Sequence, residues 1–163
     1  MQGMIHHHAQ ALEMTSLLET RTAREEMKLL AKRIDVSQTD EIKMMQRWLR
    51  ERGKDAPDPR AHAGHDMTSM PGMTMTMDAP LMPGMLTPDE MARLAAAKGA
   101  EFDRLFLEFM IKHHEGALVM VKELFASPAS GQTAEIFAFA SDVEADQRAE
   151  IDRMRRMRAE MDR

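Results

Sequence analysis

Cysteine and tyrosine are absent from the chain, and one tryptophan and six phenylalanines stand against 19 methionines. Without a thiol there is no disulfide, no thiolate metal ligand and no cysteine nucleophile. No serine sits in a G-x-S-x-G elbow and no glycine-rich loop could cradle a phosphate, so hydrolase and kinase readings lack support and no catalytic constellation emerges. The net charge of −5, with both signs scattered, provides no basic face for nucleic acid or an anionic membrane surface. No apolar run approaches the roughly 18 residues of a membrane span, and the start of the chain lacks a signal peptide's charged and apolar regions. The chain reads as soluble and non-enzymatic, and its excess sulfur is thioether.

At 163 residues the chain is the size of one domain, long enough to bury a core without staples. No segment alternates apolar and polar residues long enough for a strand, whereas three- and four-residue steps recur throughout, so the expected class is all-α. A first helix is expected over about residues 2–20, with Thr20 or Thr22 capping the next. Met27, Leu30, Ile34, Gln38, Ile42, Met45 and Leu49 mark a second, from about 23 to 52, which Gly53 ends. Residues 54–87, rich in proline, glycine and methionine, form a linker. Thr87, Pro88 and Glu90 carry the signature of a capping box on a short helix that ends near Gly99. Two further helices, about 100–125 and 132–161, flank a turn at Ser127 to Gly131.

The two long hairpins match each other. M-I-H-H-H-A-Q-A-L-E-M (Met4 to Met14) aligns without a gap on M-I-K-H-H-E-G-A-L-V-M (Met110 to Met120), and Gln38, Glu41, Ile42 and Met45 recur at the same internal spacing as Gln147, Glu150, Ile151 and Met154. Two like hairpins (1–53, and 88–163 with the short helix) joined by a long crossover predict a single pseudo-twofold four-helix bundle of ferritin-like type. The histidines near the start therefore belong to the fold: His7 and His8 are repeated as His113 and His114, while His6, matching Lys112, is expected at the surface.

In each hairpin Met4, His7, His8, Ala11 and Met14, like Met110, His113, His114, Ala117 and Met120, fall on one helical face. Ferritin-like di-iron bundles use Glu-x-x-His. Here no glutamate stands three residues before any histidine, and Met-x-x-His takes its place. Thioether sulfur with imidazole suits Cu(I) better than iron, manganese or zinc. The bland alternative is a set of core histidines hydrogen-bonded to Gln38 and Gln147. Gln38, Glu41, Gln147 and Glu150 are candidate outer partners of the metal ligands, and Asp103 is a weaker one.

The linker repeats the theme. His62 and His65 precede Met67, Met70, Met73, Met75 and Met77, with Met82 and Met85 following: seven methionines within nineteen residues. A segment this rich in proline, glycine and threonine cannot be filling a helical core, so these thioethers read as a flexible cage for Cu(I). Choosing methionine over cysteine points to an oxidising compartment, periplasmic or extracellular.

M-P-G-M-L-T-P-D-E-M followed by F-D-R-L-F-L-E-F-M-I-K-H-H-E-G-A-L-V-M resembles the bacterial family known as domain of unknown function 305, closely over residues 82–125 and, through the repeat, over nearly the whole chain. The resemblance implies an exported helical bundle and, as in some members, copper binding and copper resistance. Its Met-x-x-His-His motif falls on Met110, His113 and His114, and again on Met4, His7 and His8. The first hairpin lacks the F-D-x-x-F run and so any counterpart of Asp103. The expected function is Cu(I) buffering or transfer, with a metal ion and another copper-handling protein as partners. A carboxylate-bridged di-metal redox enzyme and a metal-free structural bundle are the alternatives.

Overall fold

The apolar stripes fold into six helices among the residues that the computed structural model describes, 1–59, 81–127 and 133–161: α1 (Gln2–Ser16), α2 (Leu18–Arg21), α3 (Glu25–Glu51), α4 (Pro88–Ala96), α5 (Gly99–Ala126) and α6 (Ala134–Met161). No described residue lies in a strand. No helix among them is long and apolar enough to cross a membrane.

The first expected helix is two. Thr15 and Ser16 donate their hydroxyls back to the carbonyls of Leu12 and Glu13, at 3.0 and 2.7 Å, and Leu17 N–H turns to the Met14 carbonyl. Such back-bonding competes with the helical ladder, and the chain restarts as the single turn of α2. Thr22 does accept the Arg24 N–H at 3.1 Å, but it secures the turn before α3, whose N-cap is Arg24. At the other end of α3, Gly53 takes a φ of 62°; its N–H bonds the Arg50 carbonyl and Lys54 N–H the Leu49 carbonyl, a complete Schellman stop. The capping box forms as read: Thr87 Oγ1 accepts the Glu90 N–H, and the Glu90 carboxylate accepts the Thr87 N–H.

The helices pair as two antiparallel hairpins, α1 with α3 and α5 with α6, and α1 lies across α5 to join them. One core runs through this junction, where Met14, Leu18, Met27, Leu30 and Ile34 of the first hairpin meet Phe102, Phe106, Met110, Ile151 and Met154 of the second. Smaller apolar clusters close the far end around Ile5, Ile42, Met45 and Leu49, and around Val121, Ala140 and Val143.

The segment from Leu81 to Thr87 is a strap laid over the α1–α5 junction. Gln10 holds its backbone twice, donating to the Leu86 carbonyl at 3.0 Å and accepting the Leu86 N–H at 2.8 Å. Lys112 of α5 pairs with Glu90 at 2.7 Å just beyond it. Backbone packs directly on backbone here: a Cβ on Gly116 would sit 1.9 Å from the Pro83 carbonyl oxygen, and one on Gly84 (φ 76°) would sit 2.5 Å from that of Lys112. Gly116→Ala is therefore expected to displace the strap and cost about 1–3 kcal/mol, the range of core overpacking, as a lowered denaturant midpoint at unchanged helicity.

Candidate metal centre

α1 and α5 cross at the repeated histidines. The rings of His7 and His113 face each other with centroids 3.9 Å apart, tilted by 39°. Each lies 6.3 Å from its vicinal partner, His8 or His114. All four are buried, at most 1% exposed. The partner helices supply the carboxylates: Glu41 of α3 bonds His8 Nε2 through a very short contact, and Glu150 Oε2 of α6 lies 2.7 Å from His114 Nε2. The repeat in sequence is thus a repeat in space, and it places four imidazoles and two carboxylates in the interior.

Each bond fixes a ring. The Pro83 carbonyl, 3.0 Å from His7 Nε2, can only accept, so the His7 proton sits on Nε2 and Nδ1 keeps its lone pair. An Nε2–H held by a carboxylate, as Glu150 can hold that of His114, likewise presents Nδ1, the outer arrangement common behind metal-bound imidazole. The Nδ1 atoms of His7, His8, His113 and His114 are all buried without a hydrogen-bond partner among the described residues, and Nε2 of His113 has no hydrogen bond of acceptable geometry. Buried acceptors without donors are costly. Here they share the interior with the repeated methionines.

Burial also keeps three of these imidazoles neutral. It drives His7 and His8 down to about 3, with neighbouring histidines adding to the shift, and takes His113 well below its ordinary value. Burial likewise pushes the Glu41 carboxyl up to about 8, reinforced by Asp146 and Glu150. Neutral imidazole is the form that binds metal.

The methionines flank the rings in two pairs related by the pseudo-twofold. Met14 and Met110 are fully buried in the main core. Met4 and Met120 are half-buried and line a common cavity at the other end of the crossing.

Several expectations need correction. Gln38 and Gln147 are buried, but the histidines bond Glu41 and Glu150, and Gln38 Nε2, Gln38 Oε1 and Gln147 Oε1 have no partner among the described residues. Asp103 is neither solvated nor one of the histidine partners; it is 2% exposed, with Oδ2 3.4 Å from Arg24 Nε. His6 is half-buried, not at the open surface. His62, His65, Met67, Met70, Met73, Met75 and Met77 lie outside the described residues. The strap went unread: the Pro83 carbonyl orients His7 and Gln10 anchors Leu86, and the only signal in the sequence was that Gln10 aligns with the glycine that the strap rests on. Among the described residues no three His, Asp or Glu side chains group into a cation-holding cluster.

Fold and site together define a helical bundle of two repeated hairpins with a buried His–Met centre at their crossing. The chain belongs to the family described as Domain of unknown function (DUF305), whose profile matches residues 1–158. Solved structures share its fold. A DUF305 protein from Streptomyces coelicolor, described as secreted, superposes with a TM-score of 0.77 at 27% identity, covering 98% of this chain and 90% of that one. A DUF305 fragment from Deinococcus radiodurans gives 0.76 at 25%, covering 98% and 92%. CopM in its Cu(II)-bound form gives 0.70 at 27%, covering 98% and 93%, and CopM has also been solved with Cu(I) and with silver. No curated protein sequence matches the chain.

Proposed function

We propose that this chain binds copper as cargo, preferring Cu(I), and buffers it or hands it to another copper-handling protein outside the cytoplasm, without catalysing a reaction. The observation that carries this reading is the crossing itself, where four buried imidazoles with unpartnered Nδ1 atoms, three of them held neutral by burial, lie within one layer that repeated methionines flank. Thioether with imidazole is a soft donor set, suited to Cu(I) above harder ions. The copper- and silver-bound forms of CopM, alike in fold over nearly the whole chain, support copper binding. The absence of thiols and the likeness to a protein described as secreted support an extracytoplasmic setting.

An anaerobic Cu(I) titration against a chromogenic chelator, beside Fe(II) and Zn(II), tests the reading. Selective Cu(I) uptake is expected, and replacing Met110, His113, His114 and Met120 together should lower its stoichiometry with helicity intact. Equal or stronger Fe(II) uptake, or unchanged Cu(I) stoichiometry in that variant, would overturn the bundle site. Deleting residues 62–80, which spares the strap, should remove further equivalents if His62, His65 and the five methionines from Met67 to Met77 also hold Cu(I).

A further inference from the structure

The pseudo-twofold is broken at one place that bears on metal chemistry. Residue 3 corresponds by the same register to residue 109, and where the second hairpin carries Phe109, buried at 4% exposure, the first carries Gly3. The space is taken by sulfur side chains: a Cβ on Gly3 would lie 3.3 Å from Met82 Sδ and 3.8 Å from Met120 Cε. Met82 comes from the strap and Met120 from the last turns of α5. Beside them opens a cavity of about 340 Å³, lined by Met1, Met4 and Met120 with Gly3, Val121, Phe139 and Glu123 among its walls.

The other member of the symmetric pair, Met14 with Met110, is fully buried. The Met4–Met120 end differs in two respects: its thioethers are partly open to solvent, and Met82 adds a third. No imidazole lines this cavity, and Glu123 is the acidic side chain in its wall, which suits a monovalent cation. Met82 also follows directly on the methionine-rich stretch of sequence.

We infer that Met4, Met82 and Met120 form a thioether site for a soft monovalent cation at the Gly3 end of the bundle, where the ion is acquired from solvent before it reaches the buried histidines. This rests on the copper reading and adds to it a second site, in which Met82 of the strap joins Met4 and Met120, the outer pair of the flanking methionines. Gly3 is the enabling residue, because a bulky side chain there, such as the phenylalanine of the second hairpin, would occupy the space beside the Met82 sulfur and the Met120 methyl.

The test uses the full chain with ¹³C-labelled methionine methyls, assigned by single Met→Leu substitutions, and silver nitrate as a redox-inert probe followed by NMR. The methyls of Met4, Met82 and Met120 should move at the lowest Ag⁺ additions, ahead of those of Met14 and Met110. Met82→Leu should weaken that early phase by about 10–100-fold, the loss common even for outer partners of a metal. Gly3→Phe, which copies Phe109 and removes no ligand, should abolish the early phase while Met14 and Met110 still respond. If the Met82 and Met120 methyls stay fixed while the histidine ring signals and the Met14 and Met110 methyls saturate, this site falls and the buried copper site stands. If no methyl and no ring signal moves at all, both fall together.

Discussion

His113→Leu is expected to make the metal-free protein more stable and a much poorer copper binder at once. His113 is 1% exposed, Nδ1 has no partner, Nε2 has no good one, and burial holds the ring neutral. An unsatisfied buried polar group costs about 1–3 kcal/mol, and leucine, of similar volume, carries no such group. The denaturant midpoint should therefore rise, by about 1–3 kcal/mol at unchanged m-value. Copper affinity should fall by about 100-fold or more, beyond the loss typical for removing a mere outer partner. A histidine kept to satisfy the core would behave in the opposite way: its loss would lower stability and leave copper uptake alone. Paired chemical denaturation and Cu(I) competition on the one variant separate the two roles.

Parts of the molecule were legible in sequence where their pattern is local and hidden where packing decides. The hairpins were legible because helical periodicity and the internal repeat are local patterns, and the Thr87 capping box because its chemistry is complete within four residues. The histidine partners were legible only as pairs, in which Glu41 and Glu150 turned out to be the members that bond the rings. Gln38 and Glu41 both sit on the inner side of α3, as Gln147 and Glu150 do on α6, and which of each pair reaches a ring depends on the rotation of that helix against α1 or α5. That rotation is set by packing. The strap was hidden for a like reason: the Pro83 carbonyl is an invisible donor-selecting group in a sequence, and Gly116 signals a close backbone approach without naming what approaches. The break at Leu17 came from hydroxyls at Thr15 and Ser16 choosing their own helix's carbonyls, a choice that propensity does not decide.

The strap gives the buried centre a consequence for how it is held. His7 is oriented by a carbonyl that belongs to no helix, and the strap bearing it stays in place through Gln10 and the glycine contact at α5. A site whose ligands were all on rigid helices would need no such device. Here one imidazole of the facing pair is oriented by the segment that also carries Met82, so the buried rings and the open thioether cavity share a mechanical element.

Acid should destabilise the metal-free protein well above the pH at which ordinary carboxylates titrate. An exposed histidine in the unfolded chain binds a proton near pH 6.5, whereas His7 in the folded chain does so near 3 and His113 well below the ordinary value. Below pH 6.5 the unfolded state therefore holds more protons than the folded one, and stability falls as pH falls. Between pH 7 and 5 each such group costs about 2 kcal/mol, about 4 for the two. Glu41 works the other way: its carboxyl is raised to about 8, so over the same interval the folded state holds a proton that the unfolded chain still lacks, a gain with decreasing pH. That gain roughly cancels the loss at its partner His8, which burial takes to about 3, and the uncancelled pair is His7 and His113. Against a typical stability of about 5–15 kcal/mol, a net loss of about 3–4 is large. Urea midpoints measured at pH 7 and pH 5 should differ by that amount in the metal-free protein and by clearly less in His113→Leu. Saturating Cu(I) should also reduce the difference, because an imidazole bound to metal is no longer waiting for a proton. A midpoint unchanged from pH 7 to 5 would show that the rings at the crossing reach water, and the sealed centre would have to be abandoned.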